Sequence, residues 1–443
     1  MFIFALACTS GLFGQVVTCI YGLTCPSGLF GQVVTCIYGL TCTSRLLGYI
    51  NHAKTSEETT PPETVGYSTT NYIIEIYQAK TEETNGYMRA KELHKRCNIR
   101  GYDYNQDNVR LNLKYSTADG SIQLCPIWKA GTTFLKRLFM MKTQKRFHNV
   151  TNPYSISFSE KFDGEMGNVY NGNTSKKFLF VRNPYDRLLS GYVDKLLAPN
   201  PVYWNLIGIP AIKYARTNPS NASLTCGHDL TFEEYIKYVI YALGTNSTDG
   251  KRKKNRRRVG IAHDLHFATL TEVSKPCHVK YDFIGKIETF SSDSIELVRQ
   301  MKLFKAEHIL THNGSEFAAD DAIQDTTYQP FDKKFRAHFS NCINLNEALK
   351  RSWHKLKIRG LIGDQDLSRL INEDEVGKLT YSDFLNIARK ARRVSTKENR
   401  RKLKKMFFNQ FYSSVPMKLL QDLTVVYKDD FELFHYNVIE DIK

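Results

Sequence analysis

Three short apolar runs are each followed by a segment of helical spacing, and this alternation leaves the chain few folds. SIQLCPI begins at Ser121 and leads through a small-residue loop into FLKRLFMMK from Phe134. KFLFV, Lys177 to Val181, breaks at Asn183-Pro184 before an amphipathic segment from Tyr185 to Leu197. YDFIGKI, Tyr281 to Ile287, precedes helical spacing from Asp293 to Leu303. Continuous apolar runs suit strands buried on both faces. Strands that alternate with helices predict an α/β fold, a parallel sheet flanked by helices. The core is predicted over residues 121–340, and it resumes at 411–443.

The first 44 residues contain no charged side chain. A helix needs roughly 20 apolar residues to cross a bilayer, so residues 1–44 are predicted to be a membrane anchor. Within them SGLFGQVVTCIYGLTC occurs twice, from Ser10 and from Ser27. Two copies are too few for a solenoid. A cleaved signal peptide is the rival reading, but no basic segment precedes Phe2. Arg45 and Lys54 follow the stretch, a charge order that favours a cytosolic rather than lumenal downstream part. Residues 45–120 are polar, and TSEETTPPETVG from Thr55 has the composition of a linker. They are predicted to form a stem, with one short helix over Tyr87–Cys97. Residues 341–410 carry a charged helical pattern and are predicted to be an insertion. NEDEVGKLTYSD, from Asn372, has the outline of a calcium loop, but Val376 and Lys378 occupy ligand positions and Asp383 the closing one.

A formal net charge of +16 suits an acidic partner: a nucleotide, an anionic lipid, nucleic acid or an acidic glycan. The run KRKKNRRR, Lys251 to Arg258, reads as a solvated loop, with a rim for a polyanion or a protease-processing site as alternatives. Of the ten cysteines, Cys97, Cys125, Cys226, Cys277 and Cys342 lie beyond the apolar N-terminus. They show no zinc spacing. In an oxidising compartment they suit one or two disulfides and leave at least one thiol.

Two segments carry chemistry. In Lys129-Ala130-Gly131-Thr132-Thr133 a short loop opens a helix and offers backbone N–H groups, the positive helix end, a lysine and two hydroxyls to an anion. The Walker spacing is absent, and a tight turn beside a solvated lysine explains the same residues. In FVRNPYDRLLSGY, from Phe180, Arg182 ends a predicted strand and Ser190 lies in the next helix. This is where open α/β sheets bind ligands, and an arginine fork with a hydroxyl suits a second phosphate. Alone, Arg182 and Arg187 also read as surface charges.

Together the two segments resemble the 5′-phosphosulfate loop and 3′-phosphate motif of sulfotransferases. The likeness is closest to the Golgi carbohydrate sulfotransferases of sulfotransferase family 2, the group of the chondroitin, dermatan, HNK-1 and GalNAc 4-O-sulfotransferases. CPIWKAGTTFLKRL, from Cys125, and RNPYDRLLSGY, from Arg182, match that group's patterns without a gap. His266 with PCHVKYDFIGKIET, from Pro276, and YKDDFELFHY, from Tyr427, resemble its later motifs in order. Trp128 stands where the group has Pro, Leu135 and Phe267 where it has Trp, and Ser274 where a Cys is frequent.

The resemblance implies a P-loop-like parallel sheet behind an anchor and stem. It implies a single-pass type II protein of the Golgi membrane with a lumenal catalytic part. The implied reaction transfers a sulfuryl group from 3′-phosphoadenosine 5′-phosphosulfate (PAPS) to a glycan or glycosaminoglycan hydroxyl, without metal or nucleic acid. Implied donor-binding residues are Trp128, Lys129, Ala130, Gly131, Thr132, Thr133, Phe134, Arg182, Asn183, Arg187 and Ser190. Lys129 would stabilise charge on the leaving oxygen. The general base is open among His266, His263 and His148, with Glu160 and Glu288 as carboxylate alternatives; His266 is preferred. Rival readings are a cytosolic sulfotransferase acting on small molecules and a non-catalytic polyanion-binding homologue. Five glycosylation sequons, at Asn149, Asn173, Asn221, Asn246 and Asn313, agree with a lumenal location.

Overall fold

The computed structural model describes residues 85–102, 115–163, 175–244 and 264–438, together with the backbone of residues 5–9 and 15–18. The chain divides into two compact units, Met1–Ile74 and Glu75–Lys443. In the first, strands β1 (Ala5–Thr9) and β2 (Gln15–Thr18) pair antiparallel. Among the described residues no helix is long and apolar enough to cross a membrane. The rest of the expected anchor, the linker TSEETTPPETVG, the run Lys251–Arg258 and His263 lie outside the described residues.

The second unit is built on a sheet of order β3 (Tyr115–Ser116), β4 (Ile122–Cys125), β5 (Lys176–Val181) and β6 (Phe283–Lys286). Strands β4, β5 and β6 are the three predicted apolar runs. They lie parallel, with Leu124 beside Phe178 and Phe178 beside Phe283, while β3 closes one edge antiparallel. Side chains alternate between the two faces. Phe178, Phe180 and Phe283 join the core under helices α2 (Thr132–Thr143) and α5 (Phe290–Gln300). Leu179, Val181 and Ile284 join a second core with Ala90 and Leu93 of helix α1 (Gly86–Ile99). The α/β class and the flanking helices are therefore as predicted.

Helix α1 was expected as part of a stem, but it packs on β6 and belongs to the core. Arg89 donates to Ile284 O at 2.7 Å and pairs with Asp293 at 2.6 Å, both partners buried. Asp293 also takes the Lys286 N–H and the Thr289 hydroxyl, so one carboxylate joins α1, the end of β6 and α5. The Cys97–Cys277 disulfide fixes the other end of α1.

Helix α3 (Pro184–Tyr192) follows β5 and shares an aromatic core with α4 (Phe232–Gly244). Next come α6 (Phe304–Tyr328), α7 (Leu345–Ile358), α8 (Tyr381–Arg393), α9 (Lys397–Ser413), α10 (Met417–Val426) and α11 (Lys428–Phe434). Helices α6 to α8 have a core of their own around Ile323, Trp353, Leu356 and Phe384. This layer starts well before residue 341, where the sequence placed the insertion. The Asn372 segment forms a short 3₁₀ turn, and Asp383 serves a capping box with Thr380 at the start of α8.

Candidate active site

The loop after β4 is held in an unusual backbone conformation. Lys129 has φ 67° and Gly131 φ 76°. A left-handed non-glycine residue is strained and persists only where its surroundings impose it. At Gly131 a side chain is excluded as well, since a Cβ would lie 2.8 Å from the Phe290 ring. Ala130 N–H and the Thr132 hydroxyl both donate to Ile127 O, at 3.1 and 2.5 Å. The turn therefore delivers the chain into α2 with its first N–H groups free of helix partners. Ala130 and Phe134 are buried, so their side chains pack inside. The Thr132 hydroxyl proton is used inside the turn, whereas Thr133 is exposed.

Arg182 leaves the end of β5 and lies against this loop. Its Nη1 donates to Lys129 O at 3.3 Å, and Nη2 stands 3.7 Å from Asp186. Ser190 is partly exposed in the second turn of α3. Asn183 and Arg187, also expected at the donor, both make internal contacts. The Asn183 carboxamide oxygen caps α3 by accepting Tyr185 N–H at 2.9 Å. Arg187 is buried, and its guanidinium donates to Trp128 O, Ala268 O and Leu265 O at 3.0, 2.5 and 2.7 Å. It clamps the loop to the turn carrying His266.

Beyond α3 the chain makes one π-helical turn, Val193–Leu197, closed by Ala198 N–H to Val193 O. Such wide turns re-aim side chains and recur at functional sites. This one presents Asp194, whose Oδ2 accepts Lys129 Nζ at 2.8 Å and stands 3.3 Å from Lys195 Nζ. Its Oδ1 accepts Lys355 Nζ of α7 at 2.6 Å. Burial pushes the Lys129 ammonium down to about 8, against the pull of Asp194. The three ammonium groups overcome the opposing effect of burial and hold the Asp194 carboxyl well below its usual range.

His266 borders the same cluster. Its Nδ1 lies 2.6 Å from Asp264 Oδ1 and 3.0 Å from the Tyr203 hydroxyl, while Trp128 meets the ring edge-on. Lys195 Nζ lies 4.9 Å from the Tyr203 ring centre. Burial lowers the His266 pKa, helped by the Lys195 and Lys129 charges and opposed by Asp264. With the Nδ1 proton given to Asp264, a neutral ring keeps its lone pair on Nε2. Gly191 supports this arrangement, because a Cβ there would meet the Phe267 ring at 2.8 Å.

The other candidate bases are placed differently. His148 is exposed beyond the far end of α2, about 18 Å of helix from the loop. Glu160 pairs with Arg146 at 3.2 Å. Glu288 accepts Asn183 N–H at 2.9 Å and lies 3.2 Å from the Tyr436 hydroxyl. Sequence reasoning missed Asp194, Lys195, Tyr203, Asp264 and Lys355. Asp194 and Lys195 directly follow the SGY of the second motif, and Asp264 precedes His266 by two positions, so proximity was their only signal. A cavity of about 530 Å³ lies elsewhere, between residues 228–232 and helices α7 and α9, and includes none of these groups.

The sequence profile of the sulfotransferase family matches residues 115–357, which hold the loop, Arg182, Asp194, His266 and Lys355. Carbohydrate sulfotransferase 9 of Homo sapiens is 29% identical over 229 residues, covering 48% of this chain and 47% of that protein. Carbohydrate sulfotransferase 8 of Mus musculus is 30% identical over 177 residues, 38% of this chain and 39% of the relative. Carbohydrate sulfotransferase 11 of Rattus norvegicus is 33% identical over 124 residues, 28% and 32%. The match thus spans about half or less of the length of these relatives. No solved structure matches. On the extent of the profile match, and with the loop and its cation partners in place, this chain belongs to the sulfotransferase family.

Proposed function

We propose that the protein is a PAPS-dependent carbohydrate O-sulfotransferase. The observation that carries the reading is the meeting of Arg182 with the backbone of the Lys129 loop at 3.3 Å, beside the paired His266 and Asp264. The residues fit a donor with an anion at each end. A glycine cradle and uncapped helix N–H groups suit one anion, and Arg182 with Ser190 of the next helix suits the other. PAPS supplies the sulfuryl group, which passes to a sugar hydroxyl.

Around that transfer the chain's own residues have separate tasks. The N–H groups opening α2 and the Thr133 hydroxyl bind the 5′ end. Arg182 and Ser190 hold the 3′-phosphate. Lys129 sets positive charge beside the leaving oxygen, and such fixed charge does most of the work in this kind of group transfer. His266 Nε2 takes the proton of the attacking hydroxyl, and Asp264 holds the ring in that tautomer.

The disulfides Cys97–Cys277 and Cys226–Cys342 support an oxidising, lumenal site of action, as do exposed sequons at Asn149, Asn221 and Asn313. A chondroitin, dermatan or N-acetylgalactosamine-type glycan is the expected acceptor. A Golgi type II topology follows if residues 1–44 anchor the chain, with residues 45 to about 85 as the stem. Incubation with radiolabelled PAPS and a panel of desulfated glycans tests the activity. Label should enter at least one glycan and be lost in Lys129→Ala. Transfer to none, with PAP (the desulfated donor) failing to bind in calorimetry, would remove the reading.

A further inference from the structure

Lys355 is a fully buried lysine in a helix that the sequence set apart from the core. Its side chain is 0% exposed, and its Nζ reaches Asp194 Oδ1 at 2.6 Å and Gln329 Oε1 at 3.1 Å. A buried ammonium needs a paired charge, and among the described residues the only carboxylate within ion-pair distance of it, Asp194, is also the partner of Lys129.

Asp194 divides its two oxygens. One faces Lys129 and Lys195, the other faces Lys355. A carboxylate paired with Lys129 alone would be left buried and uncompensated whenever Lys129 turned away, a costly state. With Lys355 fixed behind it and Lys195 beside it, the carboxylate stays paired after Lys129 leaves. We propose that Asp194 and Lys355 form a release device: Asp194 parks the Lys129 ammonium beside the loop, and Lys355 keeps that carboxylate satisfied when Lys129 turns to the sulfuryl donor. Asp194 and Lys355 are positioning residues. The proposal rests on the sulfuryl-transfer reading above.

The arrangement gives the helical layer a task in the reaction. Gln329 lies just beyond α6, and Lys355 lies in α7. The layer thus fixes the rear of the lysine cluster while the loop and α3 form its front. The charged groups facing Lys129 are Asp194, Lys195 and Lys355, with His266 next and held by Asp264 and Tyr203. Arg182 lies on the Lys129 carbonyl. Lys355 and Lys195 lower the affinity of Lys129 for its proton, and Asp194 raises it.

The test reads the Lys129 amine directly in the full chain without donor. Its acetylation is followed against pH by quantitative peptide mass spectrometry, in the native protein and in Lys355→Met, Lys355→Arg and Asp194→Asn. The apparent titration should rise by about 0.5 to 1 pH unit in Lys355→Met and fall by a similar amount in Asp194→Asn. Lys355→Arg should restore the native profile. PAP affinity in calorimetry should weaken about tenfold in Lys355→Met and should not weaken in Asp194→Asn. Unmoved Lys129 titration in folded Asp194→Asn would overturn the proposal. Lys355→Gln takes the place of Lys355→Met if the latter does not fold. A native protein that binds no PAP but whose Lys129 titration shifts as stated would overturn the sulfuryl-transfer reading and leave the coupling standing.

Discussion

At Lys129 and Gly131 the backbone twice enters the left-handed region within three residues. Only the second residue is free of a Cβ. Gly131→Ala adds a methyl 2.8 Å from the Phe290 ring at φ 76°. The expected cost is about 1–3 kcal/mol of stability, read as a lower denaturation midpoint, with weaker PAP binding because the loop N–H groups move. His266 makes a second residue-scale prediction. Burial and two nearby lysines hold it neutral below the ordinary value of 6.5. The acid limb of kcat/KM should therefore fall below pH 6.5, and His266→Gln should lose that limb together with about 10²–10⁴ in rate. A limb unchanged in His266→Gln would assign the base elsewhere. Lys129, Arg182 and His266 were legible in the sequence because they sit in motifs. The clamping contacts of Arg187 were not legible, because burial of an arginine among three carbonyls leaves no mark on residue type. Asp194 and Lys355 lie far apart in sequence and meet only through packing.

Among the elements, the short connection from residue 264 to Leu270 shows how a turn is held from a distance. Asp430 of α11 is fully buried and accepts Leu270 N–H at 2.6 Å and Thr271 N–H at 2.9 Å. Burial raises its pKa from 3.8 to about 6, although both N–H groups and Arg187 oppose this. The fold therefore favours the protonated acid. Its contribution is full below pH 3.8 and is lost as pH rises through about 6. Two units correspond to about 3 kcal/mol. In denaturant titrations the native chain should lose stability relative to Asp430→Asn between about pH 4 and 6. Parallel curves would show that the two N–H bonds and Arg187 offset burial completely. The parallel strands were legible because each is a continuous apolar run. The 25-residue helix α6 was not, since its apolar residues form no single stripe; neighbouring helices α5, α7 and α8 hold it instead.

For the molecule as a whole, the α/β class could be read from sequence, but its extent could not. Helix α1 and the segment of α7 to α9 looked like a stem and an insertion because they are polar and charged. Their contacts come from a few buried anchors, such as Arg89 and Trp353, rather than from long apolar runs. The Cys226–Cys342 bridge ties residues 116 positions apart and joins the segment before α4 to the region before α7. Cys342→Ser should cost about 2–5 kcal/mol by loosening that closure. The measurement is the urea midpoint of the non-reduced proteins, and an unchanged midpoint would make the bridge incidental.

The two bridges also interleave along the chain, Cys97 with Cys277 and Cys226 with Cys342. During synthesis Cys97, Cys125 and Cys226 all emerge before either native partner exists. An oxidase acting on the growing polypeptide can join these early thiols only to the wrong mates. Correct pairing waits until Cys277 and then Cys342 have been made, so oxidation in order of emergence cannot produce it.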